Sequence, residues 1–154
     1  MRAFLAARWG AETMAVGGRL VRPAELEGFV AEDPGDGRPL GLVTFEVEGE
    51  ACEVASLDAI DEGRGVGTAL LAAVRAAAEA AGCRRLRLTT TNDNRRAIAF
   101  YERRGFRVVE VRRDAVAEAR RRKPEIPVLA PDGTPIEDEI ELEIELELEP
   151  GRRR

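Results

Sequence analysis

Histidine is absent from this chain of 154 residues. Its absence removes the commonest general base and the nucleophile–histidine pairs of covalent catalysis, along with the usual ligand of a transition metal. Cysteine is scarce as well. Cys52 and Cys83 stand far apart, a pattern of free thiols in a reducing cytoplasm rather than of a disulfide framework. Aromatic residues amount to 5%, with one tyrosine and one tryptophan. Nucleic-acid binding calls for basic residues interleaved with aromatics, so the arginines read as a solvated surface and no nucleic-acid partner is expected. No apolar run approaches the roughly 18 residues of a membrane span. The opening MRAFLAARWG is too short and too interrupted for a signal peptide. The expectation is a cytoplasmic protein with no membrane partner and no metal.

What is present suits one domain with a core of its own: 44% hydrophobic and 34% charged residues. The net charge of −5 is unevenly spread. Arg84 to Lys123 is crowded with arginine, whereas Glu137 to Glu149 is strongly acidic.

The most informative stretch is DEGRGVGTALLAAVRAAAEAAG, residues 61–82. Gly63, Gly65 and Gly67 alternate, then apolar residues recur at helical spacing: Val66, Leu70, Val74, Ala77, Ala78 and Ala81. Gly82 supplies a left-handed stop. Glycines ahead of a helix let backbone N–H groups converge on an anion at the positive end of the helix dipole. The reading is a pyrophosphate cradle formed by Arg64, Gly65, Val66, Gly67 and Thr68; a plain loop-to-helix turn would use the same glycines. An ATP-binding P-loop needs a lysine that Gly67-Thr68-Ala69 does not offer. A dinucleotide fingerprint needs a glycine where Leu70 stands.

Around this stretch the chain alternates strands and helices. Glu12 to Val21 reads as a first strand, Pro23 to Glu27 as one helical turn, and Gly28 to Ala31 as a second strand closed by the turn Asp33 to Gly37. Pro39 to Val47 is a third strand, and Ala51 to Ala59, after Glu48-Gly49-Glu50, a fourth. These make an antiparallel meander. The helix after the cradle leads into a fifth strand, Arg84 to Thr91, parallel to the fourth. Asn94 caps a helix over Arg95 to Arg104 that stops at Gly105; Phe106 to Arg113 is a strand; Asp114 caps a short helix ending before Pro124. After a proline-rich loop, Glu139 to Glu149 alternates, with Ile140, Leu142, Ile144, Leu146 and Leu148 buried. Its glutamates should face water and guard an exposed sheet edge. The expected organisation is an N-terminal extension over 1–11, a domain over 12–150, and a disordered tail over 151–154.

The strands, the cradle, its helix and then Asn94-x-x-Ala97-x-x-Phe100-Tyr101-x-x-x-Gly105-Phe106 together resemble the GNAT superfamily of acyl-CoA-dependent N-acetyltransferases. The resemblance covers roughly residues 28 to 113 and extends to the final strand. It implies an α/β fold with a mixed, mostly antiparallel central sheet, parallel strands four and five splayed apart, and helices on its faces. It implies acetyl-CoA as acyl donor and a primary amine as acceptor, joined by direct attack. The family's pyrophosphate motif, Gln/Arg-x-x-Gly-x-Gly/Ala, falls on Glu62 to Gly67, so its first position is acidic here and Arg64 would supply the positive charge instead.

The resemblance also assigns roles. Backbone groups at Leu57, Asp58 and Ala59 would hold the pantetheine arm and polarise the acetyl carbonyl. Tyr101 would be the general acid, since a phenol near pKa 10 can protonate a thiolate whose conjugate acid lies at about 8.5. The alternative for Tyr101 is a core aromatic. Asn94 would both cap its helix and touch the cofactor's amide arm, and Ala97 and Phe100 would shape the cofactor wall. Glu53 is the candidate base, facing the same way as Leu57 and Ala59 on an alternating strand; Glu46 and Asp58 are its rivals, and each could simply be a solvated carboxylate. Cys52, of opposite parity, reads as a small buried hydrophobe. One of Arg84, Arg85, Arg95, Arg96, Arg103 and Arg104 could meet the 3′-phosphate.

The family places two helices between its first and second strands, where this chain has only Pro23 to Glu27. An open acceptor side follows, or one completed by another protomer, which makes a homodimer possible. Carboxylates near such a face suit a cationic acceptor, either a small amine or a peptide or protein amine. Two other readings stand beside this one. A non-catalytic acyl-CoA-binding sensor or interaction module is favoured by Glu62 and opposed by Tyr101 and Asn94. In the other, the glutamate strand pairs edge to edge with a partner.

Overall fold

The computed structural model describes residues 14–16, 19–21, 27–60 and 65–147. The expected extension over 1–11, the helical turn from Pro23 up to Leu26, the cradle residues Glu62, Gly63 and Arg64, the position Leu148 and the tail over 151–154 lie outside the described residues, whereas Glu27, expected to end that turn, opens a strand. Where one first strand was expected, two short ones pair antiparallel: β1 (Met14–Val16) and β2 (Arg19–Val21), in a sheet of their own. Val16 opposes Arg19 at one end of their ladder and Met14 opposes Val21 at the other.

The main sheet has six strands. They are β3 (Glu27–Glu32), β4 (Pro39–Glu48), β5 (Ala51–Ala59), β6 (Arg85–Thr91), β7 (Arg107–Arg112) and β8 (Glu139–Glu145), arranged β3-β4-β5-β6-β8-β7. All pairings are antiparallel except β5 with β6. Between them run α1 (Val66–Ala80), α2 (Arg95–Glu102) and α3 (Ala115–Arg122). This is the mixed, mostly antiparallel α/β architecture expected.

Helix α1 buries Val66, Leu70, Leu71, Val74 and Ala78 against Val43, Phe45, Cys52, Val54, Leu86 and Leu88 of the sheet. Leu71 joins the buried stripe, while Ala81, expected in it, lies past the helix and is exposed. Gly41 sets how close α1 comes. A β-carbon there would sit 2.7 Å from Val66 Cγ1 and 2.8 Å from the Asp58 carbonyl oxygen. Gly82, at φ 80°, ends α1 as expected, with the Cys83 amide bonded to Ala78 O and the Gly82 amide to Glu79 O. Asp114 precedes α3 in the left-handed region at φ 59° and makes no side-chain cap; instead its own amide bonds to Asp138 Oδ1.

The glutamate strand is not an edge. β8 lies between β6 and β7, and the exposed edges are β3 and β7. The crossover from β6 through α2 to β7 leaves a gap one strand wide, and β8 fills it antiparallel to both neighbours. Its Leu142 is fully buried, its Ile140 and Ile144 pack against the core, and Leu146 just past its end is buried as well. Its glutamates meet arginines across the ladder. Glu143 sits opposite Arg87 and Arg107, and Arg112 bonds Glu139 at 3.2 Å and Glu141 at 3.3 Å. Glu139 is itself buried rather than wet.

Candidate active site

The parallel ladder is short. β5 and β6 pair only from Ala51 opposite Arg85 to Val54 opposite Leu88, although β5 continues to Ala59 and β6 to Thr91. Beyond Val54 the strands part, and a cleft of about 690 Å³ opens at their carboxyl ends. Such ends are where open α/β sheets bind ligands. Leu57, Asp58 and Ala59 of β5, Gly65, Gly67 and Thr68 at the start of α1, and Asn94, Ala97, Phe100 and Tyr101 of α2 and its approach line it. The structure therefore brings together most residues singled out in the sequence.

At the α1 end the backbone supplies the chemistry. Gly65 adopts φ 78°, open to glycine and costly for most other residues, and the first intrahelical bond runs from the Ala69 amide to Gly65 O. No side chain caps this end and no acidic residue stands in its first turn. Among the described residues nothing engages the amides of Val66, Gly67 and Thr68, which stand at the positive end of the dipole where an anion is favoured.

Helix α2 ends in a Schellman motif, with Gly105 at φ 94° and the Phe106 amide bonded to Tyr101 O. The hydrophobic contact that such an ending favours is between Phe106 and Tyr101, whose ring centroids are 5.3 Å apart. This explains the spacing Tyr101-x-x-x-Gly105-Phe106: the stop that ends the helix also clamps the tyrosine ring. Phe100 packs edge-on to the same ring at 5.1 Å. Tyr101 is 6% exposed, and burial pushes its phenol well above the usual value while the charge of Arg104 pulls it partly back. Its hydroxyl makes no hydrogen bond among the described residues, and the ring borders the cleft.

Asn94 stands at the start of α2 without capping it. Its Nδ2 donates to Thr90 Oγ1 at 3.1 Å, which leaves the residue exposed at the cleft. Asn92 is the structural member of the Asn92-Asp93-Asn94 turn. Its Oδ1 accepts from the amides of Glu137 and Asp138 and so ties the turn to the approach of β8. No local pattern could announce bonds to residues so distant in sequence.

Glu53 is placed apart from the cleft, because of a β-bulge. Phe45 opposes Val54 and Thr44 opposes Ser56, so Ala55 is an extra residue and alternation along β5 slips by one. Leu57 consequently lies on the same face as Val54, opposite Val43. Glu53 lies on the other face, opposite Glu46, with Ser56, whose hydroxyl bonds Thr44 at 2.5 Å. The expectation that Glu53 shares a face with Leu57 and Ala59 is therefore wrong, since simple alternation does not survive the bulge. Glu53 pairs with Arg87 at 3.3 Å. Asp58, by contrast, borders the cleft.

Cys52 is fully buried, and burial first of all pushes its thiol up to about 12, as suits a packing residue. Of the six candidate arginines, Arg96, Arg103 and Arg104 line the cleft. Arg84 and Arg85 line a smaller one of about 500 Å³ at the opposite ends of β5 and β6, where Arg84 lies 3.8 Å from Glu50. Among the described residues, no group of three or more cysteine, aspartate and glutamate side chains could hold a metal ion. No helix among them is long and apolar enough to cross a membrane.

The sequence profile of the acetyltransferase (GNAT) family matches residues 4–106, well over half of the chain. The chain belongs to the GNAT acetyltransferase family. A relative of this acetyltransferase is the uncharacterized protein YdhI of Bacillus subtilis (strain 168), 46% identical over 137 residues, which are 89% of this chain and 85% of YdhI. Solved structures share the fold. A GNAT family acetyltransferase from Elizabethkingia anophelis with acetyl-CoA bound superposes with TM-score 0.68 at 20% identity, over 80% of this chain and 78% of that one. The IAA acetyltransferase from Bacillus cereus ATCC 14579 gives 0.66 at 24% identity, over 77% of each chain. The protein is accordingly an acyltransferase.

Proposed function

We propose that this GNAT acetyltransferase moves the acetyl group of acetyl-CoA to a primary amine by direct attack, with Tyr101 as proton donor to the departing thiolate. One observation carries the reading: the Tyr101 ring, its hydroxyl unengaged by the described residues, borders the same cleft as the uncapped first turn of α1 and the end of β5. The donor fits these residues. Open amides at Val66, Gly67 and Thr68 suit a pyrophosphate, while the stretch Leu57 to Ala59 suits an extended amide-bearing arm. The Elizabethkingia anophelis relative in fold holds acetyl-CoA.

The amine attacks the thioester carbonyl, the tetrahedral adduct collapses, and the carbon–sulfur bond breaks as the thiolate takes the Tyr101 proton. Burial raises the phenol, so Tyr101 keeps that proton through neutral and mildly alkaline pH until the thiolate accepts it. Asp58, at the cleft, is better placed than Glu53 to take a proton from the incoming amine. The carboxylate of Asp58 at the cleft favours a cationic acceptor, either a small amine or a peptide or protein amine.

Calorimetric titration of acetyl-CoA into the protein and into Gly65→Asp tests the donor site. Nothing lies within 4 Å of a β-carbon built on Gly65, so the variant bears only the backbone strain of a side chain at φ 78°, about 1–2 kcal/mol, and its fold is checked by circular dichroism, while its carboxylate repels the pyrophosphate. Micromolar binding lost in Gly65→Asp supports the cradle; no binding to either protein overturns it. A panel of amines with Asp58→Asn and Glu53→Gln then separates the two candidate bases.

A further inference from the structure

Arg104 does more than decorate the end of α2. Its own amide bonds to Tyr101 O, which leaves the Phe100 carbonyl without its usual helical donor. The Arg104 guanidinium takes that place, with Nη1 donating to Phe100 O at 2.8 Å. Nη2 reaches across the cleft to Thr68 Oγ1 at 2.5 Å, and the guanidinium carbon lies 3.6 Å from the centre of the Phe100 ring. Its Nε is buried and unbonded among the described residues, so the fork is held by those two bonds and the ring alone. The two bonds join elements 36 residues apart: the helix that carries Tyr101 and the first turn of α1.

Donor counting adds a second point. A guanidinium has only donors, so the Thr68 hydroxyl must accept from Arg104 and its single proton is left for another acceptor. Thr68 is exposed at the cleft beside the open amides of α1, where a phosphate oxygen is the acceptor that fits. The same cation lies close enough to Tyr101 to oppose the effect of burial on the phenol.

We propose that Arg104 is a positioning residue of the transfer reaction: it ties the Tyr101 helix to Thr68 at the phosphate-binding turn, so that holding the phosphates also fixes the proton donor. This rests on the acetyl-CoA reading above. Arg104 acts through Thr68 and Phe100 and touches no reacting atom.

The test compares wild type, Arg104→Leu, Arg104→Lys, Thr68→Val and the double variant Arg104→Leu/Thr68→Val. Each is titrated calorimetrically with CoA and with pantetheine, which lacks the phosphates. Each is also assayed for kcat and KM with acetyl-CoA and the fastest amine of the panel. Arg104→Leu should weaken CoA about tenfold and leave pantetheine unchanged, with kcat falling up to about a hundredfold as the donor loses its position. Arg104→Lys, which keeps the charge but not the fork, should recover only part of the CoA affinity. The double variant should lose clearly less CoA affinity than the sum of the two single losses, the signature of one shared tie.

Equal loss of CoA and pantetheine, fully additive losses, or unchanged binding and kcat in folded Arg104→Leu would each overturn the proposal. Should Arg104→Leu not fold, Thr68→Val at its exposed site decides: unchanged CoA affinity and kcat there sink the tie. Wild type that neither binds CoA nor turns over would instead overturn the donor reading itself.

Discussion

At the scale of single residues, Tyr101 combines two constraints that usually conflict. Its ring is clamped by Phe100 and Phe106 as a core aromatic would be, yet its hydroxyl is left without a bond among the described residues. The core-aromatic reading weighed in the sequence is met by this packing, and the unengaged hydroxyl is what the proposed proton donor requires. Tyr101→Phe should keep the fold and the acetyl-CoA affinity and lower kcat about a hundredfold or more, read in parallel by calorimetry and steady-state kinetics.

Burial also sets an alkaline limit at this scale. Tyr101 and Cys52 both hold their protons more tightly folded than unfolded, Cys52 up to about 12 against 9.0. Above the unfolded values the unfolded chain binds fewer protons, so stability falls as pH rises. It should be flat below about pH 9 with respect to these groups and decline above it, Cys52 first. Tyr101 is the only tyrosine, so tyrosinate absorbance reports it alone. That signal should rise together with loss of far-ultraviolet dichroism; a rise in the still-folded protein would contradict the burial argument.

At the scale of elements, small backbone features decide what faces the cleft. The bulge at Ala55 turns Leu57 toward the helix side and leaves Glu53 behind on the other face. Nothing in ACEVASLDA marks it; the extra residue becomes visible only once β4 is laid alongside β5. Gly41 is a similar case, read in sequence as one more residue of a strand. A side chain there would strike Val66 and the Asp58 backbone, so Gly41→Ala must push α1 off the sheet. We expect Gly41→Ala to cost about 1–3 kcal/mol in urea unfolding and to weaken acetyl-CoA binding, because α1 carries the amides proposed to hold the pyrophosphate. The helix stops Gly82 and Gly105, by contrast, were legible, because a left-handed terminus has a local residue signature.

At the scale of the whole molecule, the position of β8 reverses the meaning of its alternating pattern. An edge strand with a glutamate row would keep other chains away; an interior strand uses the same row to pair with arginines on both sides. Leu142 is fully buried at the centre of this arrangement. Leu142→Asp should therefore abolish folding of the chain, seen as loss of the cooperative thermal transition, and should not merely dissociate a dimer. Arg112→Ala should cost about 2 kcal/mol or more by stranding Glu139, and Arg112→Lys should recover part of that.

The sequence by itself determined most of the elements, the glycine-led start of α1, the Tyr101 motif and with them the family. Each of these is written in local spacing, through helical periodicity, strand alternation and left-handed stops. Only the tertiary structure decided which strand fills the gap between β6 and β7, which face Glu53 occupies, and that Arg104 reaches Thr68. Those outcomes depend on register and on contacts between residues far apart in the chain. A one-residue slip in pairing reverses a side chain's face without altering any local pattern.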